Sequence, residues 1–251
     1  MLQRFLTAAS ALALSILFIA PASAATYTGS PTAIGNGAGR VVVRTDSEGN
    51  PTAVMVELTR SALQGLPTKD KPNMEEWEYT LPMPAGPKTG FDHIAVDWNP
   101  HGHPPPMYGV PHFDLHFYAM TSAQQMAVAF PKGDKDPAGR VTDPALIPPG
   151  YVVPPGTEVP MMGVHAVNMA SPEFHGKPFT ATFIYGYYKN RLTFLEPMVT
   201  RAFLLSHPDA TMPIPVPKKY SVRGWYPSKY VVRYDSARKI YVIGLTGLHR
   251  S

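Results

Sequence analysis

The stretch that decides the fold reads Pro111-His112-Phe113-Asp114-Leu115-His116-Phe117-Tyr118. Polar and apolar residues alternate from His112 to Phe117, which is the period of a β-strand. In a strand, His112, Asp114 and His116 share one face, while Phe113, Leu115 and Phe117 share the other and enter the core. The i, i+4 spacing of His112 and His116 would also suit a helix. The segment is aromatic, however, and the Glu of a His-Glu-x-x-His helix is absent. Three polar groups on one face of an aromatic-rich strand need partners if they are buried. A bound cation supplies one partner; a satisfied polar stripe in a barrel interior is the plain alternative. Along a flat strand His112 and His116 stand about 13 Å apart. Both reach one ion only through strong twist, a bulge, or an ion lying midway.

Other strands flank this one. Phe91 to Asp97 alternates as a strand, and Asn99 to Pro111 is a rigid Pro- and Gly-rich loop carrying His101 and His103. His101-Gly102-His103 is an i, i+2 pair whose rings, on extended backbone, face the same side about 7 Å apart. Arg40–Thr45 and Thr52–Leu58 form a hairpin across turn residues 46–51. Thr59 is placed to cap a short helix over Arg60–Leu66, and a strand is expected at Glu76–Leu81. Thr121 caps a short helix near Gln124–Val128. Residues 131–160 read as a long Pro-rich loop, and Met161–Met169 as a short strand containing His165. Phe179–Tyr188 and Leu192–Val199 make the clearest hairpin, with Lys189-Asn190 at its turn. A short helix over Thr200–Leu205, an extended Pro213–Pro217 segment and a last hairpin of Lys229–Tyr234 and Lys239–Leu245 complete the chain. Residues 25–38 read as an irregular lead-in. The expected fold is mainly β: an antiparallel β-sandwich or barrel with a few short helices, in one domain over 25–251.

Composition agrees. Pro and Gly make up 49 of 251 residues, which implies many turns and excludes a coiled coil. Residues 1–24 read as a cleaved signal peptide. Arg4 precedes a mostly apolar run from Phe5 to Ala20, Pro21 stops it, and Ala22-Ser23-Ala24 is a small-x-small cleavage site. The expected location is therefore periplasmic or secreted, with no stable membrane insertion after cleavage. The absence of Cys excludes disulfides, thiolate ligands and a thiol nucleophile. Any transition metal must be held by His, carboxylate or Met. From Lys218 onward eight basic residues face one acidic residue, Asp235, interleaved with Tyr220, Trp225, Tyr226, Tyr230, Tyr234 and Tyr241. This basic hairpin, 218–251, reads as a solvent face or as a contact surface for an acidic subunit. Nucleic acid is not an expected partner of a secreted chain.

Four of nine His lie within sixteen residues: His101, His103, His112 and His116. His165 follows the Pro-Pro-Gly loop, and Glu196 is an isolated carboxylate among apolar neighbours. A buried Glu is costly unless paired, so Glu196 is exposed, paired with Arg191 or Arg201, or a ligand. Three His and one carboxylate suit zinc above all, with copper, iron and manganese also open. No Gly-x-Ser-x-Gly elbow, phosphate loop or dinucleotide fingerprint occurs, which disfavours serine hydrolase, kinase and nicotinamide chemistry.

The segments Phe91–His103, His112–Tyr118, Met162–His165 and Phe194–Thr200 occur in an order that resembles an uncharacterised family of secreted bacterial proteins. It is a domain of unknown function with a structurally known thermophile member under envelope-stress sigma-factor control. The resemblance runs from about Gly39 to Leu205. It implies a β-rich, metal-binding and oligomeric fold, and it carries His103, His112, His116, His165 and Glu196 over as metal ligands, without His101. A looser similarity to cupins stays at the level of analogy, because the order and spacing of ligands differ.

The leading expectation is a periplasmic metal protein in which His112, His116, His165 and Glu196 bind one divalent ion, with Asp114 orienting a His tautomer. The alternatives are a cupin-like metal-dependent hydrolase or oxygenase at the same site, with an unspecified small-molecule substrate, and a non-enzymatic homo-oligomeric envelope protein.

Overall fold

The computed structural model describes residues 23–71, 76–136 and 139–251. The expected leader lies outside them except for its last two residues. Among the described residues no helix is long and apolar enough to cross a membrane.

Four strands open the chain: β1 (Thr26–Thr28), β2 (Thr32–Ile34), β3 (Gly37–Thr45) and β4 (Pro51–Thr59). Eight follow: β5 (Trp77–Leu81), β6 (His93–Asn99), β7 (His112–Tyr118), β8 (Tyr151–Val152), β9 (Glu158–Val159), β10 (Gly163–Asn168), β11 (Ala181–Tyr188) and β12 (Arg191–Thr200). Five close it: β13 (Asp209–Pro213), β14 (Trp225–Tyr226), β15 (Lys229–Asp235), β16 (Ile240–Thr246) and β17 (His249–Arg250). One sheet runs β1-β3-β4-β16-β15-β13, with β2 also on β3. The other large sheet runs β5-β6-β7-β12-β11-β10-β8, with β9 also on β10, and β14 pairs with β17 in a small third sheet. Every pairing is antiparallel. The result is sandwich-like, and the barrel alternative is set aside because the two sheets do not close on each other.

One apolar cluster unites the two sheets. It takes Val41 and Val43 from β3, Val54 and Val56 from β4, and Phe113, Leu115 and Phe117 from β7. The last three are fully buried, as the period-2 reading requires. The opposite face of the central strands β6 and β7 is buried too. Tyr108, Met120, Val128, Met162 and Phe179, from the connections around α1 (Ser122–Met126) and elsewhere, form a roof over it. Thr121 caps α1 with a complete capping box. The polar stripe of β7 therefore lies between a sheet and a loop roof, not inside a barrel.

Some local expectations change. The lead-in contributes the short strands β1 and β2, whose pairing to β3 rests on backbone hydrogen bonds that leave no alternation in side chains. The loop at 131–160 contains β8 and β9, two residues each. The helix at Arg60–Leu66 is a single 3-10 turn, Arg60–Leu63. The Thr59 hydroxyl does not cap it, because it accepts a hydrogen bond from the Ala38 N–H instead. In the C-terminal region Tyr226, Tyr230 and Tyr241 are buried, and β16 lies between β4 and β15. The aromatic interleaving there is largely core, while Lys229, Arg233 and Lys239 point to solvent.

A candidate metal centre beneath the loop roof

Three paired strands assemble the polar face. In the β6–β7 ladder Asn99 lies opposite His112, Asp97 opposite Asp114 and Ala95 opposite His116. Strand twist brings diagonal neighbours into contact. Asn99 Nδ2 donates to Asp114 Oδ2 at 2.9 Å, and His116 Nδ1 pairs with Asp97 Oδ2 at 2.7 Å. On the other side of β7, Leu195 faces Phe117 and Met198 faces Asp114. The same register sets Glu196 beside His116. Pro197, which has no N–H, interrupts the ladder there. His165 reaches the site from β10 across Gly186. A Cβ at Gly186 would overlap the Phe194 ring, and a β-bulge follows at Gly186/Tyr187. The missing side chain lets Phe194 lie edge-on to His116, ring centroids 4.7 Å apart, and against His165 at 5.1 Å.

The histidines share one feature. Nδ1 of His103 contacts the Pro104 carbonyl at 2.8 Å, Nδ1 of His112 the Val110 carbonyl at 2.7 Å, and Nδ1 of His165 the Thr157 carbonyl at 3.0 Å. Nδ1 of His116 meets the Asp97 carboxylate. A carbonyl oxygen can only accept, so in His103, His112 and His165 Nδ1 carries a proton, and in the neutral form of each ring the lone pair lies on Nε2. This is how proteins fix the tautomer of a metal-ligating His. His93, on the same face, differs: Asp92 and Gln125 engage both of its ring nitrogens.

These side chains gather in two groups. His116, His165 and Glu196 form one, and His103, His112 and Asp114 the other; within each, one ligand atom per residue lies within 4.8 Å of the others. In the first, His116 Nε2 stands 3.6 Å from Glu196 Oε1. Both His116 Nε2 and Glu196 Oε2 are buried without a hydrogen-bond partner. In the second, Asp114 Oδ2 lies 3.2 Å from His103 Nε2 and Asp114 Oδ1 lies 3.2 Å from His112 Nε2. The latter contact lacks hydrogen-bond alignment. Five residues of the two groups, all but His112, line one cavity of about 420 Å³, together with Glu76, Met161 and Met162.

Electrostatics mark the same place. Burial raises the Glu196 carboxyl well above its ordinary value, against the pull of His116, and Asp114 and Asp97 push it further. Burial, then Glu78 and Asp114, raise Asp97 in the same way. Glu76 is pushed up to about 8 by burial and by Asp97. Desolvation holds the His165 ring down to about 4, so it stays neutral. For Asp114 burial is overcome by His112 and His103, and its pKa is lowered. For His103 burial is likewise outweighed by Asp114, and its pKa rises to about 9.

The structure thus divides the single-ion set of His112, His116, His165 and Glu196. His112 and His116, four residues apart on β7, join different partners. Asp114 faces His103 and His112 directly, while Asp97 is the residue that orients a ring, that of His116. Glu196 is neither exposed nor paired with arginine: Arg201 donates to the Leu63 carbonyl. His101 and His103 diverge because Gly102 turns the backbone at φ 73°, and the exposed His101 lines a separate cavity with Trp98 and Pro111. Sequence reasoning missed Asp97, Asn99 and Glu76 as members of the site. The alternation that continues from His93 through Ala95 and Asp97 to Asn99 was the available signal.

Residues 46–98 match the model of the TTHB210-like family, described as hypothetical protein TTHB210. The match lies inside the stretch of resemblance drawn from the motifs. It spans β4 and β5 and all of β6 but its last residue, and takes in Glu76 and Asp97. The six residues of the two ligand groups lie beyond it. No curated protein and no solved structure matches the chain.

Proposed function

We propose that this is a secreted or periplasmic protein that binds a divalent transition metal through His116, His165 and Glu196. The observation that carries this reading is the pair of buried, unpartnered atoms, His116 Nε2 and Glu196 Oε2, on side chains that face each other across two strands. A buried carboxylate without a cation is costly. A dication beside it reverses the upward push on its pKa and satisfies both atoms at once. Two imidazole nitrogens and one carboxylate oxygen favour zinc, and iron, copper and manganese accept the same donors. The aromatic shell of Phe194 and Tyr118 limits water around the ion.

Three protein ligands leave at least one coordination position directed at the cavity, which supports a second reading as a metal-dependent enzyme that activates water.

Elemental analysis tests the proposal on the mature protein, purified without an affinity tag or chelator. A transition metal whose content falls by one equivalent from the wild type to the Glu196→Gln and His165→Ala variants is the expected result. Metal content unchanged in both variants overturns the assignment.

A further inference from the structure

We infer that His103, His112 and Asp114 form a second divalent-cation site, separate from the centre proposed above, which fastens the Asn99–Pro111 loop to the sheet. The inference rests on the same reading of the cavity but on different residues.

Three observations support it. First, the two groups do not merge. Within each group the ligand atoms lie within 4.8 Å of one another, and the six residues together do not form one such set. One zinc ion places its tetrahedral ligand atoms only about 3.3 Å from each other. Second, the spacing within the group already fits one ion: both His Nε2 atoms stand 3.2 Å from oxygens of Asp114. Third, the deepest atoms are unsatisfied. His112 is fully buried and Asp114 is 2% exposed, yet His112 Nε2 and Asp114 Oδ1 have no hydrogen-bond partner. Asn99 Nδ2 and His103 Nε2 both reach Oδ2 of Asp114, which leaves Oδ1 for a ligand.

The composition of the group gives it a distinct role. His112 and Asp114 belong to a central strand. His103 arrives from a loop, is partly exposed, and is delivered by the Gly102 turn. A Cβ at Gly102 would overlap the Tyr108 carbonyl oxygen, so only glycine closes this turn. Tyr108 is itself buried edge-on against Phe179. An ion held by two rigid ligands and one loop ligand ties the loop down when bound and releases it when lost. The centre at His116, by contrast, takes all its ligands from strands.

The test is a zinc titration of the chelator-stripped mature protein by calorimetry, with bound metal counted after gel filtration. Hydrogen exchange of the 100–110 amides is followed in parallel. The expected result is two equivalents in the wild type. His103→Ala keeps one equivalent and loses zinc-dependent protection of the loop; His165→Ala also keeps one, and its loop is still protected by zinc. His103→Gln, which preserves side-chain bulk, is expected to behave as His103→Ala. One equivalent in the wild type that survives in both His103 variants overturns this inference and leaves the His116 centre standing. One equivalent that vanishes only in the His103 variants removes the His116 centre instead. No zinc in the wild type overturns both.

Discussion

Each sheet buries one strand glutamate, and the two are treated differently. Glu57 on β4 is 4% exposed and Glu196 on β12 is 2% exposed. Glu57 accepts from Arg40 at 3.1 and 2.8 Å and from Arg238 at 2.7 Å, so both of its oxygens face guanidinium groups. Glu196 has only the edge of His116 at 3.6 Å, and one of its oxygens has no partner. The chain supplies the counter-charge in the first case and leaves it out in the second. On the function proposed above, the carboxylate that the fold does not neutralise is the one that an external cation completes. The difference separates a structural ion pair from a candidate ligand site.

The largest effect comes from making Glu57 resemble Glu196. Removing both guanidiniums in an Arg40→Ala, Arg238→Ala double variant strands a buried charge, and we expect a loss of about 3 kcal/mol in urea unfolding. A loss under about 1 kcal/mol would mean that burial alone does not make such a carboxylate costly, and the comparison would fail. The next effect comes from supplying the cation. At free zinc one hundred times its dissociation constant, the His116 centre adds about 2.7 kcal/mol to stability. Glu196→Gln is expected to lose that gain. Without metal it is expected to unfold almost as the wild type does, because the amide keeps the shape of the carboxyl and adds no buried charge. The same denaturant curves, with and without zinc, check both statements.

Much of this was legible in the chain, and the limits have physical causes. Alternation in His112–Phe117 placed the stripe and the core face, because a one-residue slip would exchange them. Glu196 stood out as a lone carboxylate among apolar residues. The partition of the ligands was not legible, because it depends on register. Asp97 meets His116 only through the β6–β7 ladder, and His165 arrives through β10, two strands from β12. The loop turn at Gly102 broke the His101-Gly102-His103 pair, since extended backbone was the assumption behind it. The edge strands β1 and β2 left no trace, because backbone pairing needs no particular side chains.

The comparison is sharpened by the aspartates behind each pair. Asp97 holds the ring of His116 through Nδ1, and it is fully buried. Asp97→Asn keeps the shape but weakens this restraint and the basicity of the ring. We expect zinc affinity to fall about 10- to 100-fold in competition with a chromophoric chelator, with one equivalent still bound at saturation in the His116 centre.

Asp235 does the corresponding work on the other sheet. Its Oδ2 accepts from Arg238 Nε at 2.7 Å, which aims the guanidinium at Glu57. Arg238 is about half exposed, so water and salt share the task of holding it. Asp235→Asn should therefore cost about 0.5 kcal/mol, the scale of an exposed ion pair, and the cost should shrink further in high salt. A loss several times larger would show that Arg238 cannot find Glu57 without its aspartate. In that case the arginines, like the proposed metal, would need a buried orienting shell, and the two glutamates would differ in the identity of their cation alone.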